Sequence, residues 1–259
     1  MSSVGTLLNE YRKTRRISQM DLGLQADVSS RHISFIENGR SQPSREMLLR
    51  LADVLDLSLR DSNLLLASGG YAAAYSEIAL NSPAMSAVYN ALNIMLDNHN
   101  PYPAIVVDNA WNIVMANSAY LAFSGLLAGT STTTEVNLLR MVLGDTQFRS
   151  IIRNWDEVAS YLLRRLKKQV LVFSSPELNS LYQEVMEFDL PDNWQQPNTP
   201  TEGPMLTVNL KIGELELSTF STLSQFGSSL DVGIQELLIE SYFPADDITK
   251  DFFHSLSLD

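Results

Sequence analysis

Few residues in this 259-residue chain have the type and spacing to do chemistry. There is no cysteine, which excludes disulfides and thiol catalysis and fits a reducing cytosol. The three histidines, His32, His99 and His254, are scattered, and none has a close histidine or cysteine partner, so a metal site lacks its ligands. No Gly-x-Ser-x-Gly elbow, Walker loop, His-Glu-x-x-His helix or Gly-x-Gly-x-x-Gly turn is present. The acidic pairs Asp246-Asp247 and Asp156-Glu157 read as a solvated helix start and an exposed helix face. The chain is expected to bind rather than catalyse, with no metal and no cofactor.

The stretch with the clearest capacity for recognition is DVSSRHISFIENGRSQPS, residues 27–44. At about 100° per residue, Ile33 and Ile36 point one way, while Ser30, Arg31, Ser34, Phe35 and Asn38 fall on the other side. Ser29 is a natural N-cap and Asn38-Gly39 a natural stop. Gln19 to Ala26 forms a second short helix just upstream, and Ala26-Asp27-Val28-Ser29 joins the two. Two short helices across so tight a joint make a helix-turn-helix.

The elements around this pair are legible. Val4, Leu7, Leu8 and Tyr11 give an apolar stripe. Ser18 and Ser58 each begin a capping pattern, Pro43-Ser44 opens a fourth helix, and Gly69-Gly70 closes a fifth. Charge divides the chain at the same place. Residues 1–68 hold nine Lys/Arg and eight Asp/Glu, near +1, whereas the whole chain is at −12. The rest therefore carries about −13, a break that suggests two domains with different work.

Beyond a connector at 69–82, expected to be partly helical from Tyr71 to Ile78, the pattern changes. Pro83 starts a helix to about Leu96. AIVVD (104–108) and WNIVMA (111–116) read as a hairpin turning at Asn109, followed by a helix over 117–127. GTSTTT (129–134) and DLPDNWQQPNTPTEGP (189–204) read as loops. Residues 137–187 are mostly helical. MLTVNLKI, ELELSTFST and VGIQELLIES then read as three strands. The fold class is multidomain: an all-α five-helix domain over 1–68, a linker over 69–82, and over 83–255 an α+β domain with a five-stranded antiparallel sheet. No apolar run approaches a membrane span and the N-terminal residues show no signal-peptide pattern, so the chain is expected to be cytoplasmic.

The first domain resembles the lambda-repressor-like, XRE-type helix-turn-helix. The resemblance rests on Ile17-Ser18-Gln19, Leu22, Val28-Ser29, Ile33, Ile36-Glu37-Asn38-Gly39-Arg40, Pro43-Ser44 and Leu48/Leu51, within about residues 4–66. It implies that the second helix of the motif enters the major groove of double-stranded DNA. Ser30, Arg31, Ser34 and Phe35 would then face the bases, Arg31 with a bidentate contact to guanine and Phe35 on a thymine methyl, with the cap Ser29 also at the DNA. Gln19, Asn38 and Arg40 match phosphate-contact positions. Gly23 stands where alanine is usual, with an expected cost of up to about 1 kcal/mol of helix. Asp27 stands at the usual turn glycine, and aspartate tolerates the left-handed region.

Residues 83–243 resemble the MmyB-like, PAS-like ligand-binding domain of regulators, through Trp111, Asn117, Asn137-Leu138-Leu139-Arg140, Trp155 and Val158-Ala159. The His-Pro pair and the Trp/His segment common in that family are replaced here by Asn209-Leu210 and Met186-Glu187-Phe188-Asp189. The resemblance implies a small apolar ligand, with a fatty acid the leading candidate. Trp111, Met115, Phe123, Leu139, Met141, Leu143 and Trp155 are candidate lining. Asn117, Arg140, Arg149 and Arg153 are candidate donors to a carboxylate head. Together the two resemblances describe a sequence-specific regulator that binds its operator as a homodimer and responds to that ligand. The alternative is a regulator whose second domain serves only dimerisation and protein contact. An enclosed cavity of several hundred cubic ångströms separates the two.

Overall fold

The computed structural model describes residues 3–128, 136–173, 175–196 and 205–256. The loop read at 129–134, and residues 197–204 of the loop read at 189–204, lie outside the described residues. The chain forms two compact units. One comprises residues 1–78 with 171–174 and 228–235; the other comprises 79–170, 175–227 and 236–259.

The first unit contains five short helices: α1 (Val4–Thr14), α2 (Gln19–Gln25), α3 (Ser30–Glu37), α4 (Arg45–Val54) and α5 (Leu59–Ser68). Each begins where a serine hydroxyl accepts a first-turn amide. Ser3, Ser18, Ser29, Ser44 and Ser58 cap Thr6, Asp21, His32, Met47 and Asp61 respectively. A cap of this kind contributes about 1 kcal/mol. Leu8, Leu22, Ile33, Ile36, Leu48, Leu51, Leu55 and Leu65 are fully buried and form one core.

Asp27 takes the left-handed conformation expected of it, at φ 53°. Gly23 has a role its helix propensity hides. A Cβ there would stand 2.6 Å from the Val28 carbonyl oxygen, so the missing side chain lets the turn close on α2. The stretch 71–78 is not helical. Asn63 Oδ1 accepts from Ala74 N and Tyr75 N, and Asp231 Oδ2 accepts from Ile78 N. These side chains take the amides that a helix would have used, and Ser76 instead forms a bridge with Asp231.

The second unit opens with a 3₁₀ turn at Pro83–Met85 and α6 (Ser86–Asn98). β1 (Ala104–Val107), β2 (Ile113–Ala116) and α7 (Ser118–Ala128) follow. A π-helical turn at Arg140–Gly144 leads into α8 (Thr146–Ile151), α9 (Trp155–Val172) and α10 (Pro176–Val185). The chain returns with β3 (Val208–Ile212), β4 (Leu215–Ser224), β5 (Leu238–Pro244) and α12 (Asp247–Leu256); between β4 and β5 comes α11 (Val232–Glu236), of which all but Glu236 belongs to the first unit. The sheet order is β2-β1-β5-β4-β3, antiparallel throughout.

Two readings are corrected. VGIQELLIES is not one strand: Asp231 Oδ1 accepts from Ile234 N at the start of α11, and β5 begins only at Leu238. Trp111 is not in β2. It sits in the hairpin turn at φ 67°, unusual for a bulky residue, with its ring buried and its indole N–H donating to Gln169 Oε1 at 2.8 Å.

Strand alternation gives the sheet two characters. Val106 and Ile239 pack with Leu92 and Leu96 of α6 into a dry core. Glu240, Tyr242, Ser221 and Val208 face a cavity instead.

Candidate functional sites

In the first unit, α3 buries Ile33 and Ile36 and leaves Ser30 and Arg31 exposed, with Ser34 and Phe35 half-buried. The Arg31 guanidinium lies 5.2 Å from the Phe35 ring centroid. A cation over an aromatic face on one exposed helix edge holds the arginine outward. Ser29 caps the helix, and Asn38 Nδ2 donates back to the Ser34 carbonyl at 2.7 Å. Arg40 is exposed just beyond the Gly39 stop.

Gln19 is partly engaged inside the unit. Its Nε2 donates to Glu37 Oε2 at 2.7 Å, joining a network centred on Glu37. Arg12 donates to both Glu37 oxygens, at 2.6 and 2.9 Å, and to the Ile17 carbonyl at 2.8 Å. Asn9 Nδ2 completes it. Burial pushes the Glu37 carboxyl up, but hydrogen bonds from Arg12, Gln19 and Asn9 and the Arg12 charge together hold it below the usual carboxylate range. This network fixes α1 and α2 against the end of α3.

In the second unit, a cavity of about 830 Å³ lies over the sheet. Its walls come from α7, the π-helical turn, α8, α9, β3, β4 and β5. Most of the lining is apolar, with Leu121, Leu138, Phe148, Leu162, Val208 and Leu210 among it. Of the eleven predicted contacts, Met115, Phe123 and Met141 line this cavity and eight do not.

The eight have other partners or positions, Leu143 among them being buried in the core. Asn117 is buried: its Oδ1 accepts from Ala104 N and Tyr120 N, and its Nδ2 donates to the Leu96 and Tyr102 carbonyls. That is a cap and a hairpin clamp with no capacity left over. Trp155 donates to the Val142 carbonyl at 3.0 Å, and Arg149 lies 3.5 Å from its ring centroid while bonding Asp189. Arg140 forms a two-pronged pair with Glu184, both bonds 2.7 Å, at the surface. Arg153 is exposed, Leu139 is fully buried in the core, and Trp111 lies under Arg165 with 4.7 Å to its centroid.

The polar groups that do line the cavity were not anticipated. Glu240 and Tyr242 alternate along β5, and Ser221 on β4 stands directly opposite Tyr242. Ser221 Oγ donates to Glu240 Oε1 at 2.7 Å, and Tyr242 stands two residues on along the same face of β5. Tyr120 reaches the same cavity from α7. Glu240 keeps some surface open to the cavity yet is surrounded by protein. Burial pushes its carboxyl up, against the hydrogen bonds from Ser221 and Tyr242 and the charge of Arg165. Burial and the nearby Glu240 push the Tyr120 hydroxyl up to about 12, and Tyr242 is raised for the same reasons. A sequence signal existed: a glutamate in mid-strand of LLIESYF breaks an otherwise apolar run.

Among the described residues no cluster of His, Cys, Asp and Glu is arranged to hold a metal ion. Nor is any described helix long and apolar enough to cross a membrane.

Comparison with known proteins places both units. Residues 88–256 match the family described as MmyB-like transcription regulator ligand binding domain, and residues 8–62 match a helix-turn-helix family. The first match spans more than half of the chain, and the chain belongs to that family. It is a DNA-binding transcription regulator carrying a ligand-binding domain. No curated protein matches it. One similar solved structure is described as that of an RNA-binding light-oxygen-voltage receptor, at 11% identity and a TM-score of 0.28. The match covers 98% of this chain and 62% of the receptor chain, so this chain spans about three fifths of that protein's length.

Proposed function

We propose that this regulator reads an operator with the exposed edge of α3 and binds a small, mainly apolar ligand in the cavity of its second unit. Ser29, Ser30, Arg31, Ser34 and Phe35 face base edges, and Arg40 and Asn38 meet phosphates. The protein works as a homodimer on two half-sites about one helical turn apart, as helix-turn-helix dimers do. The ligand acts by binding unequally to the operator-competent state and its alternative; without that inequality nothing shifts.

The observation that carries the reading is the cavity: about 830 Å³ with a largely apolar lining. That is within the range of about 300–1,000 Å³ of small-molecule sites, and a domain used only for dimerisation has no need of it. A fatty acyl chain suits the lining. Native mass spectrometry of the full chain tests the reading. A dimer with an adduct of a few hundred daltons, released on denaturation, supports it. A dimer without an adduct, to which no medium-chain lipid adds on titration, returns the second unit to the dimerisation role.

A further inference from the structure

We infer that the segment joining β4 to β5, residues 228–235, carries the occupancy of the cavity to the helices proposed to read the operator, and that Gln235 makes the connection. This rests on the ligand-binding reading of the cavity and adds how the first unit senses the ligand.

β4 and β5 are paired strands of the second unit, and they present Ser221, Glu240 and Tyr242 to the cavity. The segment between them belongs instead to the first unit. Residues 225–227 separate β4 from it, and residues 236–237 separate it from β5. A chain reaches at most about 3.6 Å per residue, so connectors this short leave little slack. A shift of either strand is felt by the segment.

Inside the first unit the segment is held twice. Asp231 Oδ2 accepts from Ser76 Oγ at 2.8 Å and from Ile78 N at 3.1 Å, and Val232 N donates to the Ser76 carbonyl at 2.8 Å. Gln235 Oε1 accepts from the backbone N–H of Leu59, the first residue of α5, at 2.8 Å. A helix start leaves such amides without partners in its own helix, so this one takes its acceptor from a residue 176 positions away. Two residues further into α5, buried Asp61 accepts from the Tyr11 hydroxyl of α1 at 2.9 Å. The next residue, Arg12, holds Glu37 at the end of α3. Leu8, Ile33, Ile36 and Leu65 share one close-packed core, which passes a displacement of α5 to α3. The segment thus has two discrete states, docked on the start of α5 or released from it. A ligand biases them only if the cavity wall differs between the two. Gln235 lies outside the cavity lining, so cutting its bond leaves the ligand surface in place.

The test is operator affinity of the full chain by fluorescence anisotropy, with and without saturating decanoate, for the natural chain, Gln235→Ala and Gln235→Glu. Decanoate shifts operator affinity by about fivefold or more in the natural chain and by less than about twofold in Gln235→Ala. Gln235→Glu restores the shift, because its carboxylate oxygen still accepts from the Leu59 amide. Calorimetry without DNA finds decanoate bound by all three. Operator DNA in turn changes decanoate affinity by the same factor in the natural chain and not in Gln235→Ala, a reciprocity that a merely structural role would not produce. Hydrogen exchange on the natural chain needs no variant: decanoate changes the protection of the Leu59 and Val232 amides. An undiminished shift in Gln235→Ala, a shift lost in Gln235→Glu as well, or unmoved protection at Leu59 and Val232 overturns the assignment and leaves the cavity reading standing. Decanoate that binds without changing operator affinity in the natural chain does the same. Decanoate that does not bind overturns both.

Discussion

Arg12 and Glu37 form a two-pronged pair inside the first unit, with bonds of 2.6 and 2.9 Å and side chains only 10% and 3% exposed. The pair joins α1 to Glu37, the last residue of α3, the helix proposed to read the operator. With Gln19 and Asn9 also donating to Glu37 Oε2, the carboxylate accepts four hydrogen bonds. Such a pair is costly to break one-sidedly, since the survivor stays buried and uncompensated.

Glu37→Ala is therefore expected to destabilise the first unit by about 3–5 kcal/mol. Hydrogen exchange of the amides in residues 4–68 measures it. The pH dependence has a defined sign. The Glu37 carboxyl is held below its ordinary value in the fold, so its contribution is present at neutral pH, above the unfolded value of about 4.3, and is lost as pH falls through the folded value. The Arg12 pKa is raised, so its contribution persists until well into alkali. Glu37→Gln should thus lower protection at neutral pH and flatten its acid loss. An acid profile unchanged from the natural chain counts against the assignment.

Gly5 is in α1, where Gly→Ala ordinarily gains up to about 1 kcal/mol of helix stability. Here a Cβ would meet the carbonyl oxygens of Ile36 and Glu37, backbone that cannot swing aside. Gly5→Ala should lower the unfolding temperature of the first unit despite its better propensity. A rise would mean that α1 can withdraw from the end of α3 at no cost.

The helix-turn-helix was legible because its rules are local. Five serines mark five helix starts, and the spacing of Ile33 and Ile36 fixes which side of α3 is free. The second unit was legible in type but not in site. Alternation revealed strands, and β5 was blurred because no glycine or proline separates the end of α11 at Glu236 from the start of β5 at Leu238. Arg140, Arg149 and Asn117 looked like ligand donors because sequence shows donors and not their partners. Those partners, Glu184, Asp189 and the Tyr102 carbonyl, are 44, 40 and 15 residues away. The wall that faces the cavity is built by pairing β4 with β5, and register across strands far apart in sequence is not written in any one of them.

Arg31→Ala should weaken binding to the selected operator by roughly 1–3 kcal/mol and relax preference at one base pair. Phe35→Leu removes the ring over which the guanidinium rests and should reduce the same preference by less. Arg40→Ala should weaken all sequences alike and flatten the salt dependence, as a phosphate contact does. Fluorescence anisotropy on the operator and its single-base variants, over a salt series, separates the three. Equal losses on every variant for Arg31→Ala would make it a phosphate contact instead.

Ser124 lines the cavity from α7, and among the described residues its hydroxyl bonds the Leu121 carbonyl of its own helix. Ser124→Trp places an indole where the ligand chain would lie. In a packed interior such overpacking costs about 1–3 kcal/mol, but here the space is already open, so the fold should survive with its melting temperature little changed or raised. Medium-chain probes should bind at least about tenfold more weakly, while operator affinity measured without them stays as it was. Loss of probe binding with an intact operator complex separates the two activities on the two units. Undiminished probe binding would move the ligand out of this cavity, and a collapse of the fold would mean that the space beside Ser124 is closed in solution.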